Sequence, residues 1–137
     1  MLGEKIGEFH GKVVGQRILP SDGLPKFETT AEAAGTIIGI RAKIMATYWS
    51  AVQADGSLYG ETVGPSPTIT EDGEIAAYRA MGVGHFAGKG SAVSFRGAAF
   101  YQGATGKLAR LNGLAIIFEC IECDRSGGGK VAEAELV

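Results

Sequence analysis

Cysteine and histidine are scarce in this chain, which contains two of each among its 137 residues. The cysteines form one C-x-x-C motif, Cys120 to Cys123, at the end of a strand-like run. Residues three apart in an extended strand point to opposite faces, with Cα atoms roughly 10 Å apart, which is beyond disulfide reach. We therefore expect two separate reduced cysteines. One such motif without clustered histidines also predicts no metal site.

The shortage of histidine also limits hydrolytic chemistry, because a Ser-His-Asp triad needs a histidine within hydrogen-bond reach of its partners. His10 lies near the amino terminus, and His85 lies in a glycine-rich stretch. The sequence has no Gly-x-Ser-x-Gly nucleophile motif. These features argue against a hydrolase.

The chain also lacks an excess of positive charge and any long apolar run. Its formal net charge is −2, and its lysines and arginines are scattered, so we expect no nucleic-acid partner. No segment reaches the roughly 18 apolar residues of a membrane span, and Met1–Lys5 lacks the apolar run of a signal peptide. The sequence therefore predicts a soluble, cytoplasmic protein with no membrane partner.

Glycine, in contrast, is abundant, with 22 residues. The stretch Gly82–Gly90, GVGHFAGKG, begins with the Gly-x-Gly-x-x-Gly/Ala pattern of a dinucleotide-binding loop. Such a loop needs a following helix whose amino terminus holds the phosphate, whereas Ser91–Ala98 alternates like a strand. We therefore expect no nucleotide or other cofactor, and we interpret the glycines as a bulge or hairpin between two strands.

Alternating and β-branched segments, separated by turn residues, dominate the sequence. Asp55-Gly56 and Asp72-Gly73 are strong hairpin signals, and Pro65 and Pro67 interrupt or edge the strand between them. This pattern predicts one all-β domain over residues 1–137, an eight-stranded antiparallel β-barrel with little helix. The expected strands cover residues 8–19, 26–34, 36–50, 57–63, 74–86, 91–101, 114–123 and 130–136. Two single helical turns are expected at Ala31–Ala34 and Thr105–Arg110.

The segment Tyr101–Ala115 resembles the late strand-turn-strand of the allene oxide cyclase and dirigent barrels. In those families a Gly-Gly-Thr-Gly-type turn precedes a short motif that ends in glycine. Here Ala104 replaces the second glycine, and Asn112-Gly113 lies where those families often have Arg-Gly or Tyr-Gly. Small uncharacterised bacterial proteins with this barrel are also similar. The resemblance implies an eight-stranded antiparallel barrel, often dimeric or trimeric, that needs no metal or nucleotide. It also implies an interior that holds an apolar or polyene-like molecule and steers its cyclisation or coupling.

Polar residues on two strands are candidates for the barrel interior. In Glu74–Phe86, Arg79 and His85 share one mostly apolar face; if that face points inward, both need buried partners, for which Glu61 and Glu119 are candidates. The alternative is that these charged groups face solvent or form a structural ion pair. The predicted ligand-binding set is Glu61, Arg79, His85, Arg96 and Tyr101, with no catalytic residue assigned. An aromatic set is expected to line the cavity, the core or a subunit interface: Tyr48, Trp49, Tyr59, Tyr78, Phe95, Phe100 and Tyr101.

Two hypotheses for the function follow. The first is a barrel that binds an apolar small molecule in its interior and isomerises or cyclises it without a cofactor. The second is a non-catalytic homo-oligomeric barrel, a dimer or trimer, that serves as a scaffold or carrier and has an interior filled by side chains. A lipocalin-like carrier is a third reading, weakened by the missing disulfides and secretion signal.

Overall fold

The computed structural model describes the backbone of residues 3–86, 93–125 and 129–136, and the side chains of residues 3–86 and 93–120. Within these ranges the chain forms nine β-strands and a short 3₁₀ helix, Gly106–Leu111. The strands are β1 Gly7–Leu19, β2 Lys26–Ile37, β3 Ile40–Val52, β4 Leu58–Thr62, β5 Ser66–Thr70, β6 Ile75–Phe86, β7 Val93–Tyr101, β8 Ile116–Arg125 and β9 Gly129–Leu136. The expected all-β class is confirmed.

All nine strands belong to one antiparallel sheet with the order β2-β1-β9-β8-β7-β6-β4-β3-β5. β2 also pairs with β3, and β5 also pairs with β6. The two short strands β4 and β5 therefore share one place in the sheet, because each pairs with β3 on one side and with β6 on the other. This arrangement explains why the sequence predicts eight strands and the structure has nine.

Strand β5 is the element that the sequence analysis assigned only as an interrupted strand. Pro67 lies in its second position and pairs with Ala77 of β6. On the other side, the pairing with β3 covers only Thr68 to Thr70. Pro67, which has no amide hydrogen to donate, therefore lies outside the ladder with β3, as expected for proline in a sheet.

Two local expectations are wrong. Ala31–Ala34 forms no helical turn but continues β2, where Ala31 pairs with Ala46 of β3. The turn between β2 and β3 is at Ile38-Gly39 rather than at Gly35, and both turn residues have positive φ angles of 45° and 79°. Two consecutive residues in the left-handed region are typical of a tight type I′ hairpin. The helical turn expected at Thr105–Arg110 is present as the 3₁₀ helix Gly106–Leu111.

The buried side chains lie on one face of the sheet, which we call the inner face. Its largest fully buried apolar residues come from distant parts of the chain: Phe9, Ile37, Leu108, Leu111 and Ile116. The 3₁₀ helix contributes two of them and so packs against the inner face. Along each strand, alternate residues belong to this face.

The glycines of the GVGHFAGKG stretch lie inside a regular strand as far as the structure describes them. Gly82 and Gly84 belong to β6 and pair without a register shift with Gly97 and Phe95 of β7. A Cβ atom on Gly84 would lie 2.7 Å from the ring of Phe95. Gly84 therefore makes room for an aromatic ring, and residues 82–86 form no bulge; β6 and β7 pair antiparallel, in agreement with the hairpin alternative. Residues 87–90 of the stretch lie outside the described part of the chain.

Candidate functional site

A cavity of about 160 Å³ lies on the inner face of the sheet. Strands β1, β2, β3, β4, β6, β7 and β8 all contribute residues to it. Its walls are mainly aliphatic and aromatic, and the aromatic residues among them are Phe9, Tyr48, Tyr78, Phe95, Tyr101 and Phe118. An apolar cavity lined by a few polar groups is the usual form of a small-molecule site.

Small residues that face each other across neighbouring strands leave this volume open. Ala31 pairs with Ala46 across β2 and β3, and Ala80 pairs with Ala99 across β6 and β7. All four side chains line the cavity. Because alanine projects only one methyl group, two facing alanine pairs leave space that larger side chains would fill.

The aromatic wall beside this space depends on Gly84. The ring of Phe95 lies over this glycine and meets the ring of Tyr48 edge to face, with centroids 5.9 Å apart and an interplanar angle of 74°. Edge-to-face contacts of this kind are favourable beyond the area that they bury. Phe95 also packs in one cluster with Leu58 and Val93, to which Tyr48 and Cys120 are adjacent.

Two tyrosine hydroxyl groups on the inner face have partners. The hydroxyl groups of Thr68 and Tyr101 lie 2.6 Å apart, and the Ser66 side chain is near the hydroxyl group of Tyr78, where it acts to lower the pKa of that group. Burial raises the pKa of Tyr101, with the Thr68 hydrogen bond acting in the opposite direction. Burial raises the pKa of Tyr78 further, and the neighbouring Tyr101 adds to the shift. Both phenols are therefore neutral near pH 7.

The hydroxyl group of Tyr48 differs, because it is buried and has no hydrogen-bond partner among the described residues. A buried polar atom without a partner destabilises the folded state by about 1–3 kcal/mol. Native proteins leave few such groups, and each one calls for an explanation. Tyr48 lines the cavity, so a molecule in the cavity is within reach of this side chain.

Cys120 also lines the cavity. It is free of any disulfide, as the sequence predicted. Burial raises its pKa from 9.0 to about 11, so the group is a neutral thiol near pH 7. Because the thiolate is the nucleophile, a cysteine in this state is unreactive. The Cys123 side chain lies outside the described side chains.

Only one of the five predicted site residues points toward the buried interior, namely Tyr101. Arg79 and His85 are exposed because they alternate in β6 with Ala80, Gly82 and Gly84, which line or approach the interior. Of the two alternatives for Arg79 and His85, the structure therefore has the one in which both charged groups face solvent.

The two remaining predicted residues have partners on the outer face. Arg96 Nη2 lies 2.7 Å from Glu119 Oε1, and both side chains are largely exposed. Glu61 is half-buried at the edge of the cavity, but its Oε1 accepts a hydrogen bond of 3.0 Å from the Tyr59 hydroxyl group. The predicted residues thus do not form one cluster.

The aromatic set divides between the two faces of the sheet. Tyr48, Tyr78, Phe95 and Tyr101 line the cavity. Trp49 and Tyr59 contact each other on the outer face with centroids 5.7 Å apart, and Phe100 is 40% exposed. Ser66 and Thr68 were not among the predicted site residues, although Ser66, Thr68 and Thr70 alternate in β5, a pattern that indicates a polar inward face.

Metal ligands do not cluster within the described residues, where no group of three or more histidine, cysteine or carboxylate side chains comes together. Within the same ranges, no helix has the length and hydropathy needed to cross a membrane.

Comparison with known proteins identifies the fold. No protein family and no curated protein matches the sequence. A conserved protein of unknown function from Rhodopseudomonas palustris superposes with a TM-score of 0.71 at 9% identity, covering 98% of this chain and 96% of its own. A protein with unknown function from Clostridium acetobutylicum gives a TM-score of 0.67 at 12% identity, covering 98% of this chain and 95% of its own. These likenesses show that the chain shares its fold with both proteins.

Proposed function

We propose that the protein is a closed β-barrel that binds a small apolar molecule in its interior. The support for closure is the pairing pattern. The ladder runs from β2 through β1, β9, β8, β7 and β6 to β3, by way of β4 and β5, and β3 pairs again with β2. A sheet whose first and last strands pair has no free edge. With β4 and β5 sharing one position, the closed sheet has eight strand positions, which agrees with the resemblance to the allene oxide cyclase and dirigent barrels.

The observation that carries the binding function is the cavity. An interior filled by side chains would favour a purely structural barrel, whereas about 160 Å³ remains open here. A dry apolar cavity of about 150 Å³ is large enough to hold benzene. The volume lies below the roughly 300–1,000 Å³ of pockets for drug-sized ligands. The proposed ligand is therefore about the size of a substituted benzene ring, well below that of a long polyene.

Binding without acid-base chemistry is the function that the described groups support best. A general acid or base works best with a pKa near the operating pH. Burial instead raises the pKa values of Tyr78, Tyr101 and Cys120, so all three keep their protons. They are suited to donate hydrogen bonds and to shape the cavity. Cyclisation or isomerisation directed by cavity shape alone remains compatible with this binding function.

Titration with an apolar probe tests the proposal. We expect α-methylstyrene to shift backbone amide NMR signals of cavity residues and to bind at a single site. Ala46→Val places extra methyl groups in the cavity and should weaken binding, while Met45→Val, one residue away on the outer face, should not. Met45 is 45% exposed and so provides a matched control. A folded wild-type protein that binds no apolar probe would refute the proposal.

A second candidate function is self-assembly through the outer face. On the outer face of β6 and β7, four apolar side chains are 40–64% exposed, namely Ile75, Met81, Val83 and Phe100. Apolar residues that cluster on a protein surface often mark an interface. Native mass spectrometry of the purified protein tests this, because it reports the number of subunits and any retained molecule together. We expect a dimer or trimer that Met81→Lys converts to a monomer; a wild-type monomer would refute self-assembly.

A further inference from the structure

We propose that the ligand of this cavity carries one neutral hydrogen-bond acceptor, such as a carbonyl oxygen, which accepts a hydrogen bond from the Tyr48 hydroxyl group. The inference rests on the proposed binding function and adds the chemical class of the ligand. A small aromatic ketone or aldehyde has the required combination of one acceptor and an apolar ring.

The first step is the contrast between Tyr48 and the other tyrosines of the cavity. The Tyr101 hydroxyl group is hydrogen-bonded to Thr68, and the Tyr78 hydroxyl group has the Ser66 side chain nearby. Tyr48 alone among these three has a buried hydroxyl group without a partner. Because a phenylalanine would pack equally well at a position that needs no polar contact, the hydroxyl group indicates a partner supplied from outside the chain.

The second step excludes a single water molecule as that partner. A buried water molecule needs two to four polar contacts, and apolar cavities of this size stay dry. The ring of Phe95 contacts Tyr48, and the two residues opposite Tyr48 in the neighbouring strands, Thr29 and Thr62, already use their hydroxyl groups in other hydrogen bonds. A water molecule at the Tyr48 hydroxyl group would therefore leave most of its own hydrogen bonds unmade.

The third step sets the charge and polarity of the ligand. An ionised group loses its hydration on entering an apolar cavity and needs an opposite charge there. Glu32 and Glu61 border the cavity but alternate with inward-facing neighbours and point to the outer face, and the described lining contains no lysine, arginine or histidine that could pair with an anion. Glu61 is already held by Tyr59, and Glu32 is exposed. A neutral ligand with a carbonyl oxygen matches the phenolic O–H donor without this penalty.

The test compares two probes of the same shape. Acetophenone carries a carbonyl oxygen where α-methylstyrene carries a methylene group. Tyr48→Phe should weaken acetophenone binding about five- to tenfold, which is the usual worth of one neutral hydrogen bond, and leave α-methylstyrene binding unchanged. Tyr59→Phe removes a hydroxyl group from the outer face and should change neither affinity. Calorimetric titration of the four protein–probe pairs, with wild type as reference, gives the ratios.

The stability of the Tyr48→Phe variant provides a second, independent test. Because the Tyr48 hydroxyl group has no partner in the unliganded protein, Tyr48→Phe should leave the urea midpoint unchanged or raise it. A lower midpoint would reveal a partner within the chain and overturn the inference. Equal weakening of both probes, or of neither, would also overturn it while leaving the cavity as a binding site. Failure of wild type to bind either probe would refute the proposed function as well.

Discussion

The hydroxyl groups of Thr68 and Tyr101 lie 2.6 Å apart and form a hydrogen bond between β5 and β7, two strands that are not neighbours in the sheet. Thr68 is fully buried, and Tyr101 is 4% exposed. The bond therefore spans β6 along the inner face and fixes the orientation of the Tyr101 ring, which in turn contacts the ring of Tyr78 at a centroid distance of 5.4 Å.

We expect Thr68→Val to lower the free energy of unfolding by about 1–3 kcal/mol, because it leaves the Tyr101 hydroxyl group buried without this partner. The double variant Thr68→Val/Tyr101→Phe should lose less than the sum of the two single variants, since neither group then lacks a partner. Urea denaturation of the three variants measures this coupling. Thr36→Val on the exposed side of β2 is the control. Strictly additive losses would contradict the interaction.

Gly84→Ala should lower the free energy of unfolding by about 1–3 kcal/mol, because its Cβ atom would lie 2.7 Å from the Phe95 ring. Adding Phe95→Leu should recover part of the effect of the alanine by removing the overlap. Gly15→Ala is a matched control, since no heavy atom lies within 4 Å of a Cβ atom there. Thermal or urea unfolding gives the comparison. Equal stability of the Gly84 and Gly15 variants would contradict the packing described.

The buried Cys120 thiol should make the protein less stable in alkaline solution. Its pKa is raised from 9.0 to about 11 in the folded state, so the unfolded chain loses the proton first. The stability that this group contributes is complete below pH 9 and is lost as the pH rises through about 11, by about 1–3 kcal/mol. In a Cys123→Ser background, Cys120→Ala should flatten the fall of the unfolding free energy over this range. An unchanged slope would show that the thiol is not shielded.

Arg96 and Glu119 should contribute little to stability and nothing to ligand binding. Their side chains are 74% and 52% exposed, and an ion pair in such a place stabilises by less than about 1 kcal/mol. We expect Arg96→Gln to change the urea midpoint only slightly and to leave the affinity for α-methylstyrene as in wild type. A large loss of affinity would instead show that Arg96 takes part in ligand binding.

The hairpins that contain Asp-Gly were predictable, because glycine adopts the positive φ that these turns require. Gly56 and Gly73 have φ angles of 87° and 85°. The Ile38-Gly39 turn was missed because isoleucine rarely adopts the left-handed region, and an apolar sequence surrounds it. Strand type and approximate position thus followed from local sequence.

Which face of β6 points inward could not be deduced from hydrophobicity. The outer face carries Ile75, Met81 and Val83, whereas the inner face carries the smaller Ala76, Ala80 and Gly82. Rings from neighbouring strands occupy the space above the two glycines, Phe118 at Gly82 and Phe95 at Gly84, whereas Ala80 borders the open cavity. Small residues on one strand thus face large residues on its neighbours. The hydrophobic pattern of β6 alone therefore predicts the wrong inward face. The same effect concealed the cavity residues.

The pairing of β1 with β9 brings Gly7 opposite Leu136, so strands that are far apart in sequence become neighbours. During synthesis β1 leaves the ribosome long before its partner and can pair only with β2 at that stage. Folding is slow because the chain loses the entropy of this large loop before the contacts between β1 and β9 form. Sheets with many distant contacts fold in milliseconds to seconds. Until β9 has been synthesised, the nascent chain therefore leaves one edge of β1 without its pairing strand, and an unpaired edge can add a strand from another chain.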